Sequence, residues 1–461
     1  MWGLSPNTCN WIYKTVVRPA LSYSVVVWIR ALNSKHNLNK LNRVQALALR
    51  IMTGAMPSTQ ITALNYLTDT LNLGCYLKGE AAKGAARLQG YSDWTPTVAP
   101  FGKGIITSHT TISNTFLADL GLPKIARRDL TKPRLFLDKN YTITYPNQNN
   151  IENYRENLKH INSQPSASDI SCFTDGSKTC EGTGGGYITI YNDPQIDKTD
   201  KYSFKLPNYC SVFQAELTAL SEGAKSLLDC NNMTITFWTD SLSSLQALSS
   251  KLINSNTVTI CHNVLRELAM RNKVHVRWIA AHSGHWGNEQ ADILAKNGTT
   301  CDNLLTGFMP HSLIKHKIND KVKNLNRETW NNSPHKHSQQ VLGHKSTDII
   351  TSLNHNLSKS RLLYRIAIQL ITGHIGLNKH LYKITLTTTD ICPNCGIDVE
   401  TVDHFLGLCP SFTQIRADHF NAFYTTTTEI FNNYDITHIV KYAMKTNRFK
   451  IPESIDQSGV T

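Results

Sequence analysis

The sequence predicts an α/β fold class: a mixed five-stranded sheet with helices on both faces, flanked by mainly helical segments and a small metal-binding module. Three observations support this prediction. Between residues 170 and 300, short runs rich in β-branched and aromatic residues alternate with amphipathic helical runs. The flanking segments space their apolar residues as helices do. Three cysteines and one histidine lie close together near the C-terminus.

Length and charge limit the functional classes. A chain of 461 residues with 40% hydrophobic residues is long enough for about two to four globular domains. The formal charge of +13 favours a polyanionic partner, nucleic acid before an anionic membrane. The run "ALSYSVVVW" is too short to span a bilayer, so we predict no membrane partner. The 11 mostly isolated cysteines and the lack of a secretory pattern indicate a reducing, intracellular compartment.

The N-terminal segment, residues 1–95, is predicted to be helical because apolar residues recur at helical spacing in its middle. The recurring residues are Leu41, Val44, Ala48 and Ile51, with Lys40, Arg43 and Arg50 on other faces. Residues 96–168 show little periodicity and several prolines, and we interpret them as a linker with small elements.

Residues 169–300 predict the order β-β-β-α-β-α-α-β-α. The runs "ISCFTD", "GGGYITIYND" and "KYSFKLP" predict three strands in meander order, and "MTITFWTD" and "KVHVRWI" predict two more. This order indicates a mixed sheet. The run "GTGGGY" could cradle phosphate if a helix followed it. A strand follows instead, so strand glycines are the favoured interpretation.

Four acids of this region fall at strand ends and helix starts. Asp175 ends the first strand and Asp240 the fourth, while Glu216 and Asp292 lie early in helices. Such positions converge at one edge of an α/β sheet, where repelling carboxylates persist if a cation neutralises them. Hard oxygen ligands suit Mg²⁺ or Mn²⁺, and two ions would support phosphodiester hydrolysis. Taken singly, each acid has a structural alternative: a turn at Asp175, a helix cap at Asp240 and an acidic first helical turn before Asp292.

His282 is the predicted proton carrier of this site. It lies in the glycine-flanked loop "AHSGHWG", and histidine is the residue type best suited to carry protons near neutral pH. His285 in the same loop is assigned to loop or helix-entry structure rather than to a ligand role.

The motifs "FTDGSK", "VFQAELTAL", "WTDSLSSLQAL" and "WIAAHSGHWGNEQADILA" together resemble the ribonuclease H type-1 domain. The resemblance implies endonucleolytic hydrolysis of the RNA strand of an RNA–DNA hybrid. It matches the four carboxylates to metal ligands for two ions, His282 to product release or proton transfer, and Glu289 to a position near the second metal. It also implies substrate contacts to 2′-hydroxyls near three residues, Gly176, Ser177 and Gln214. The chain departs from members with a lysine-rich insertion, since only Arg266, Arg271 and Lys273 occur at that place.

The C-terminal part predicts a basic helical connector, a zinc module and a tail. Residues 301–390 contain 12 Lys plus Arg against 5 Asp plus Glu, and their sequence pattern is typical of helices. Within the module, residues 391–412, the spacing Cys392-x2-Cys395-x8-His404-x4-Cys409 predicts a closed tetrahedral Zn²⁺ site of structural type. Scattered buried cysteines are the alternative. Residues 413–461 are predicted to be a helical tail with a frayed end.

The flanks resemble the C-terminal part of non-LTR, Jockey-like retrotransposon reverse transcriptases. The resemblance is carried by "WIYKTVVRPALSYSVVVWIRAL", "NKLNRVQALALRIMTGAMPSTQITALNYL" and "TGHIGLNKHLYKI". It implies that residues 1–95 are a thumb-like remnant and that the protein acts in the nucleus. The chain has no Asp-Asp pair, so we expect no DNA synthesis. Two rival hypotheses remain, a catalytically inactive nucleic-acid-binding protein and a zinc-dependent protein-interaction module, and oligomeric state stays open.

Overall fold

The computed structural model describes residues 4–90, 116–121, 127–137, 139–146, 152, 168–192, 198–333, 336–342 and 351–449. Most of the predicted linker and the predicted frayed end lie outside these residues. The chain divides into two compact units. The first unit combines Met1–Ala82 with Asn319–Thr461, and the second, the sheet unit, is Lys83–Ile318.

The helices lie in both units and are numbered along the chain. They are α1 (Pro6–Ile12), α2 (Arg18–Ser22), α3 (Val25–Trp28), α4 (Lys35–Thr53), α5 (Ile61–Leu67), α6 (Leu73–Gly90), α7 (Val212–Lys225), α8 (Leu242–Ser249), α9 (Asn256–Leu268), α10 (Trp286–Gly298), α11 (His311–Asn331), α12 (Lys336–Leu342), α13 (Arg361–Thr372), α14 (Asn378–Lys383), α15 (Thr413–Phe420), α16 (Thr427–Asn433) and α17 (Ile436–Lys445).

The strands of the described residues all lie in the sheet unit. They are β1 (Arg134–Leu135), β2 (Thr142–Thr144), β3 (Ile170–Lys178), β4 (Thr183–Tyr191), β5 (Thr199–Leu206), β6 (Thr234–Thr239), β7 (Leu252–Ile253) and β8 (Lys273–Trp278).

The main sheet is mixed, as predicted, and has the strand order β2-β8-β6-β3-β4-β5. Strands β3, β4 and β5 form the antiparallel meander, whereas β6 pairs parallel with both β3 and β8. The parallel pairs require helical crossovers, which α7, α8 and α9 supply between their strands. A buried cluster that includes Ile170, Leu217, Phe237, Leu265 and Val276 fills the space between strands and helices.

A sixth strand joins the five that we predict. Strand β2 comes from the predicted linker and pairs parallel with β8, where Thr142 lies opposite His275. The Thr142 hydroxyl and His275 Nδ1 are 2.6 Å apart. Nearby, the Asp129 carboxylate accepts hydrogen bonds from the Ser255 hydroxyl and the Thr257 N–H, both at 2.9 Å. The described parts of the predicted linker therefore belong to the sheet unit.

Glycines of β4 let one helix pack directly on the sheet. A Cβ on Gly184 would lie 2.2 Å from the carbonyl carbon of Gly298 in α10, and one on Gly186 would lie 2.6 Å from Leu294 Cβ. Gly185, between them, faces the Ala215 carbonyl of α7 instead. Because successive residues of a strand point to opposite faces, α7 and α10 cover opposite faces of the sheet, as predicted. The glycine run is thus part of a strand, which confirms the favoured interpretation.

The first unit has one large apolar cluster, built from both of its chain segments. The cluster includes Leu49 and Leu64 from the N-terminal segment together with Ile368, Phe405 and Tyr442 from the C-terminal segment. Helix α13 contributes more buried residues to it than any other helix. This helix lies between the N-cap Ser360 and a left-handed C-cap glycine. The segments that we predict separately, 1–95, 301–390, 391–412 and 413–461, thus contribute to a common core.

The apolar residues that predict helix α4 are only partly buried. Val44 is 41% exposed and Ile51 56% exposed, while Gln45, Leu49 and Met52 are buried. Burial of Gln45 is possible because its side chain accepts a hydrogen bond from Tyr13 and donates to Asn65 Oδ1 and to a backbone carbonyl. The buried face of α4 thus includes a polar residue, while two of the apolar residues that predict the helix are exposed.

Among the described residues, no single helix has both the length and the apolar character needed to cross a membrane. Two helical stretches, Pro6–Ser22 and Val25–Asn33, meet these criteria only when taken together, and they meet at a 52° bend.

The glycine packing of β4 yields a stability prediction. We expect Gly184→Ala to lower the free energy of unfolding of the sheet unit by about 3 kcal/mol or more, because the new methyl group would overlap the α10 backbone. Urea denaturation of the full chain measures this. Gly376→Ala is the matched control, since its Cβ would meet only Met56 Cε, at 3.8 Å. Equal stability of the two variants would contradict the packing argument.

Candidate active site and cysteine-histidine centre

Three carboxylates meet at one edge of the main sheet. Asp175 lies near the end of β3, Asp240 directly follows β6, and Glu216 lies in the second turn of α7. One oxygen atom of each side chain lies within 4.8 Å of the other two. We call these residues the carboxylate trio. The sheet brings them together because β3 and β6 are parallel neighbours that end at the same edge.

The close approach of α7 to β3 depends on Gly176. A Cβ at this position would lie 2.4 Å from the backbone nitrogen of Glu216. Without that atom the first part of α7 lies against the strand, and Glu216 reaches Asp175. The helix begins with a complete capping box, in which the Ser211 hydroxyl accepts from the Gln214 N–H and the Gln214 side chain accepts from the Ser211 N–H.

Each member of the trio is held differently. Asp175 Oδ1 accepts the Gly176 N–H at 2.8 Å. The backbone carbonyl of Asp240 accepts the indole N–H of Trp278 at 3.0 Å. Glu216 is only 8% exposed, and its Oε2 is buried without a hydrogen-bond partner in the described residues. A buried carboxylate oxygen without a donor is costly, and a bound cation would satisfy it.

Mutual repulsion and burial shift the protonation of the trio. Burial and then the charge of Asp240 raise the pKa of Asp175 to about 7. Burial and the charges of the other two raise the pKa of Glu216 well above its ordinary range. Burial also raises the pKa of Asp240. Burial and repulsion therefore favour the protonated forms of these carboxyls, and a bound cation would favour the ionised forms.

Asn288 is a residue of this site that our sequence predictions missed. Its side chain hydrogen-bonds to Asp240, which lowers the pKa of that carboxyl and opposes the effect of burial. Asn288 is 5% exposed, and its Oδ1 is buried without a partner in the described residues. The sequence feature that could have identified Asn288 is an amide side chain three residues after His285, close to the predicted site. Asparagine is also common at helix starts, so this feature alone is not specific.

The fourth predicted ligand, Asp292, is not part of the trio. It lies on α10, and its Oδ2 accepts from the Lys296 ammonium at 2.7 Å, one helical turn along. Its side chain is 26% exposed. Its charge nevertheless raises the pKa values of Asp175 and Asp240, so it lies close enough to act on them.

The loop between β8 and α10 exposes His282 near the trio. His282 has a left-handed backbone conformation, with φ of 50°. Its side chain is exposed, and its charge lowers the pKa of Asp240. His285 occupies the N-cap position of α10 and so lies where we predict helix-entry structure. Glu289 lies exposed in the first turn of α10.

The three predicted substrate-binding positions differ in exposure. Gly176 is buried and Ser177 half-buried on β3. The Gln214 side chain is 2% exposed, and its Nε2 donates to Asp129 Oδ2 at 2.8 Å and to the Phe308 carbonyl at 3.0 Å. The Gln214 N–H binds the N-cap Ser211. Gln214 thus uses its polar groups to join the start of α7 to neighbouring segments.

The predicted zinc ligands also come together, in the first unit. One ligand atom of each of the four residues Cys392, Cys395, His404 and Cys409 lies within 4.8 Å of the others. We call this set the cysteine-histidine cluster. Cys395 Sγ is 3.4 Å from His404 Nε2, and the sulfur atoms of Cys392 and Cys409 are 3.9 Å apart. Three sulfur atoms and one imidazole nitrogen are a donor set that suits Zn²⁺.

Backbone and buried charges hold the cluster in place. The first cysteine pair forms a tight turn in which the Gly396 N–H donates to the Cys392 carbonyl and Gly396 has φ of 68°. Arg416, fully buried, donates to the Cys409 carbonyl at 3.0 Å. Glu400 Oε1 lies 4.0 Å from Cys392 Sγ, and Glu400 forms two hydrogen bonds of 2.8 Å with Arg448.

The comparison with known families agrees with this geometry. Residues 167–300 match the family model for RNase H. This segment is a ribonuclease H domain. The matched residues contain the trio, Asp292 and His282, and they make up less than a third of the chain. No curated protein matches the chain. The match supports a nucleic-acid-binding hydrolase, while the first unit lies outside it.

The raised pKa of Asp175 predicts a pH-dependent stability. The carboxyl has a pKa of about 7 in the fold and about 3.9 in an unfolded chain. The folded state therefore binds more protons between these values, and this group makes the fold less stable as pH rises through that window. We expect Asp175→Asn, in chelator, to increase the free energy of unfolding at pH 8 by on the order of 1–3 kcal/mol, and hardly at pH 4.

Urea denaturation at pH 4 to 8 measures this difference against the wild type. Asp302→Asn, which removes an exposed carboxylate of the same unit, is the matched control and should show no such pH dependence. A variant at Asp175 that is no more stable than the wild type at pH 8 would show that the trio is not under electrostatic strain.

Proposed function

We propose that the ribonuclease H domain cleaves the RNA strand of RNA–DNA hybrids with divalent cations bound at the carboxylate trio. The observation that carries this proposal is the convergence of three buried or half-buried carboxylates, within 4.8 Å, at the sheet edge of a domain that matches RNase H. Oxygen-only ligands of this kind suit Mg²⁺ or Mn²⁺.

The residues present fit such ions. Asp175, Glu216 and Asp240 would hold them, and Asp292 would join as a further ligand. The unpartnered Oε2 of Glu216 is the most specific sign, because burying it without a cation or donor leaves a desolvated oxygen. Two ions, the number implied by the sequence resemblance, would lower the pKa of an attacking water and stabilise the leaving oxygen of a phosphodiester.

The chain's own groups then have separate tasks. Trp278 donates a hydrogen bond to the backbone carbonyl of Asp240, and Asn288 bonds to its carboxyl, so the two residues hold Asp240 in place. His282, exposed on its loop, exchanges a proton with the reacting phosphate through an imidazole nitrogen. Lys296 neutralises Asp292 while that carboxylate is not engaged with a cation. Contacts near Gly176 and Ser177 would recognise 2′-hydroxyls and so distinguish RNA from DNA.

We also propose that the chain derives from a non-LTR retrotransposon reverse transcriptase and acts in the nucleus. This rests on the resemblance of "TGHIGLNKHLYKI" and of the N-terminal segments to such polyproteins. The order of a ribonuclease H domain followed by a cysteine-histidine cluster is consistent with that origin.

Hybrid cleavage is the direct test of the nuclease. With Mg²⁺, the wild type should cut the RNA strand of a labelled RNA–DNA hybrid and leave single-stranded DNA intact. Asp240→Asn should lower the rate by more than about a hundredfold, because loss of a direct metal ligand costs more than loss of an outer-shell partner. Asp302→Asn, in the same unit, should cleave at the wild-type rate.

Two outcomes would count against the nuclease. Cleavage that persists in Asp240→Asn would point to a contaminant or to another site. Salt-dependent hybrid binding without cleavage by the wild type would favour the inactive nucleic-acid-binding protein instead.

The cysteine-histidine cluster is proposed to hold one structural Zn²⁺. All four positions are protein ligands, so no coordination site remains for a substrate. We expect the purified chain to contain one zinc ion per molecule by elemental analysis, and Cys409→Ser to lose both the ion and on the order of several kcal/mol of stability. Cys180→Ser, at an exposed cysteine outside the cluster, should retain both. A zinc-free wild type of full stability would contradict the proposal.

A further inference from the structure

A cavity in the first unit combines basic side chains with a fixed histidine pair. The cavity has a volume of about 300 Å³ and is lined by the turn between α13 and α14, by α14 itself and by residues next to the cysteine-histidine cluster. We call it the basic pocket. Its basic lining residues are His337, His374, Lys379, His380 and Lys383.

A serine holds the two central histidines. The Ser58 hydroxyl lies 3.1 Å from His374 Nδ1 and 2.9 Å from His380 Nε2. The two rings meet edge to face, with centroids 4.9 Å apart. Because a hydroxyl has one proton, it donates to one ring nitrogen and accepts from the other. Ser58 therefore orients both rings in one arrangement rather than leaving them free to turn.

The charge of the pocket is positive on balance. Two lysines and three histidines line the cavity, together with two acids. Lys379 and Lys383 are exposed on α14. Of the two acids that line the cavity, Glu400 is fully buried and paired with Arg448, so its charge is neutralised within the fold. Asp403 remains as the exposed acid.

We propose that the basic pocket binds a phosphate group. Two flexible lysines supply charge. Of the two histidines fixed by Ser58, the one that accepts the hydroxyl proton carries an N–H on its other ring nitrogen, which can donate to a phosphate oxygen. The exposed Tyr382, between the two lysines on α14, offers a ring on which a nucleic-acid base can stack. The phosphate source is the backbone of a nucleic acid or free inorganic phosphate. The site is separate from the carboxylate trio and does not require the nuclease to be active.

The test uses the full chain with Asp240→Asn, so that bound nucleic acid is not cut. Fluorescence anisotropy with a labelled single-stranded DNA oligonucleotide, at several salt concentrations, compares this background with the added pair Lys379→Glu and Lys383→Glu. We expect at least a tenfold loss of affinity at low salt. The slope of log affinity against log salt should fall by about 1.4, since each phosphate contact contributes about 0.7 for single strands.

A matched pair controls for net charge. Lys35→Glu and Lys40→Glu, exposed on α4 and outside the pocket lining, make the same change in total charge. Affinity that falls equally in both pairs, together with histidine signals unmoved by phosphate, would overturn the proposal. A selective loss in the pocket pair would support it.

A titration with inorganic phosphate distinguishes the two sources of the bound phosphate group. Titration of the same background with millimolar phosphate, followed by histidine NMR signals, should shift two resonances that His374→Ala and His380→Ala assign. Shifts that the oligonucleotide also produces indicate a nucleic-acid backbone. Shifts with phosphate alone indicate the free ion and still support a phosphate site. Normal zinc content of each variant shows that the neighbouring cluster is intact.

Discussion

The absence of a Cβ atom at a few positions of the sheet determines how near two helices come to it. At Gly184 and Gly186 the α10 backbone occupies the space of a side chain, and at Gly176 the α7 backbone does the same. Backbone cannot move aside as a flexible side chain can, so these contacts tolerate little change. The helices that carry Glu216 and Asp292 are therefore positioned by the strands, and the carboxylates follow from this packing.

This packing also explains how an unfavourable group of charges persists. Desolvation and repulsion raise the pKa values of the trio, which is a cost that the site itself does not offset without a cation. The surrounding sheet unit has a buried cluster that spans five strands and the helices against them, and it keeps the geometry. Trp278 and Asn288 add local restraint at Asp240. Strain at a metal site is common when the surrounding fold determines the geometry.

Features that depend on residues close together in the sequence could be predicted, whereas features that depend on contacts between residues far apart in the sequence were missed. The five main strands and the meander followed from alternation and turn residues, and the acids at strand ends followed from strand boundaries. Strand β2 was missed because three residues have too little pattern to be recognised and pair only through β8. The burial of Gln45 on α4 was not predicted because its partners, Tyr13 and Asn65, lie elsewhere in the chain. The ion pair between Asp292 and Lys296 could have been predicted from their i,i+4 spacing. It affects the charge of Asp292 when no cation is bound and does not determine the fold.

The cysteine-histidine cluster shows the same division in the other unit. Its four ligands lie within eighteen residues, so their spacing alone suggested the site. Their structural setting was not local: Cys392 and Cys409 belong to the apolar cluster that also contains Tyr13, Leu49 and Tyr442. Because this core is built from both ends of the chain, a cation at the cluster would stabilise the N-terminal helices as well as its own loop. The N-terminal segment is therefore better understood as one part of a shared core than as a remnant that must fold alone.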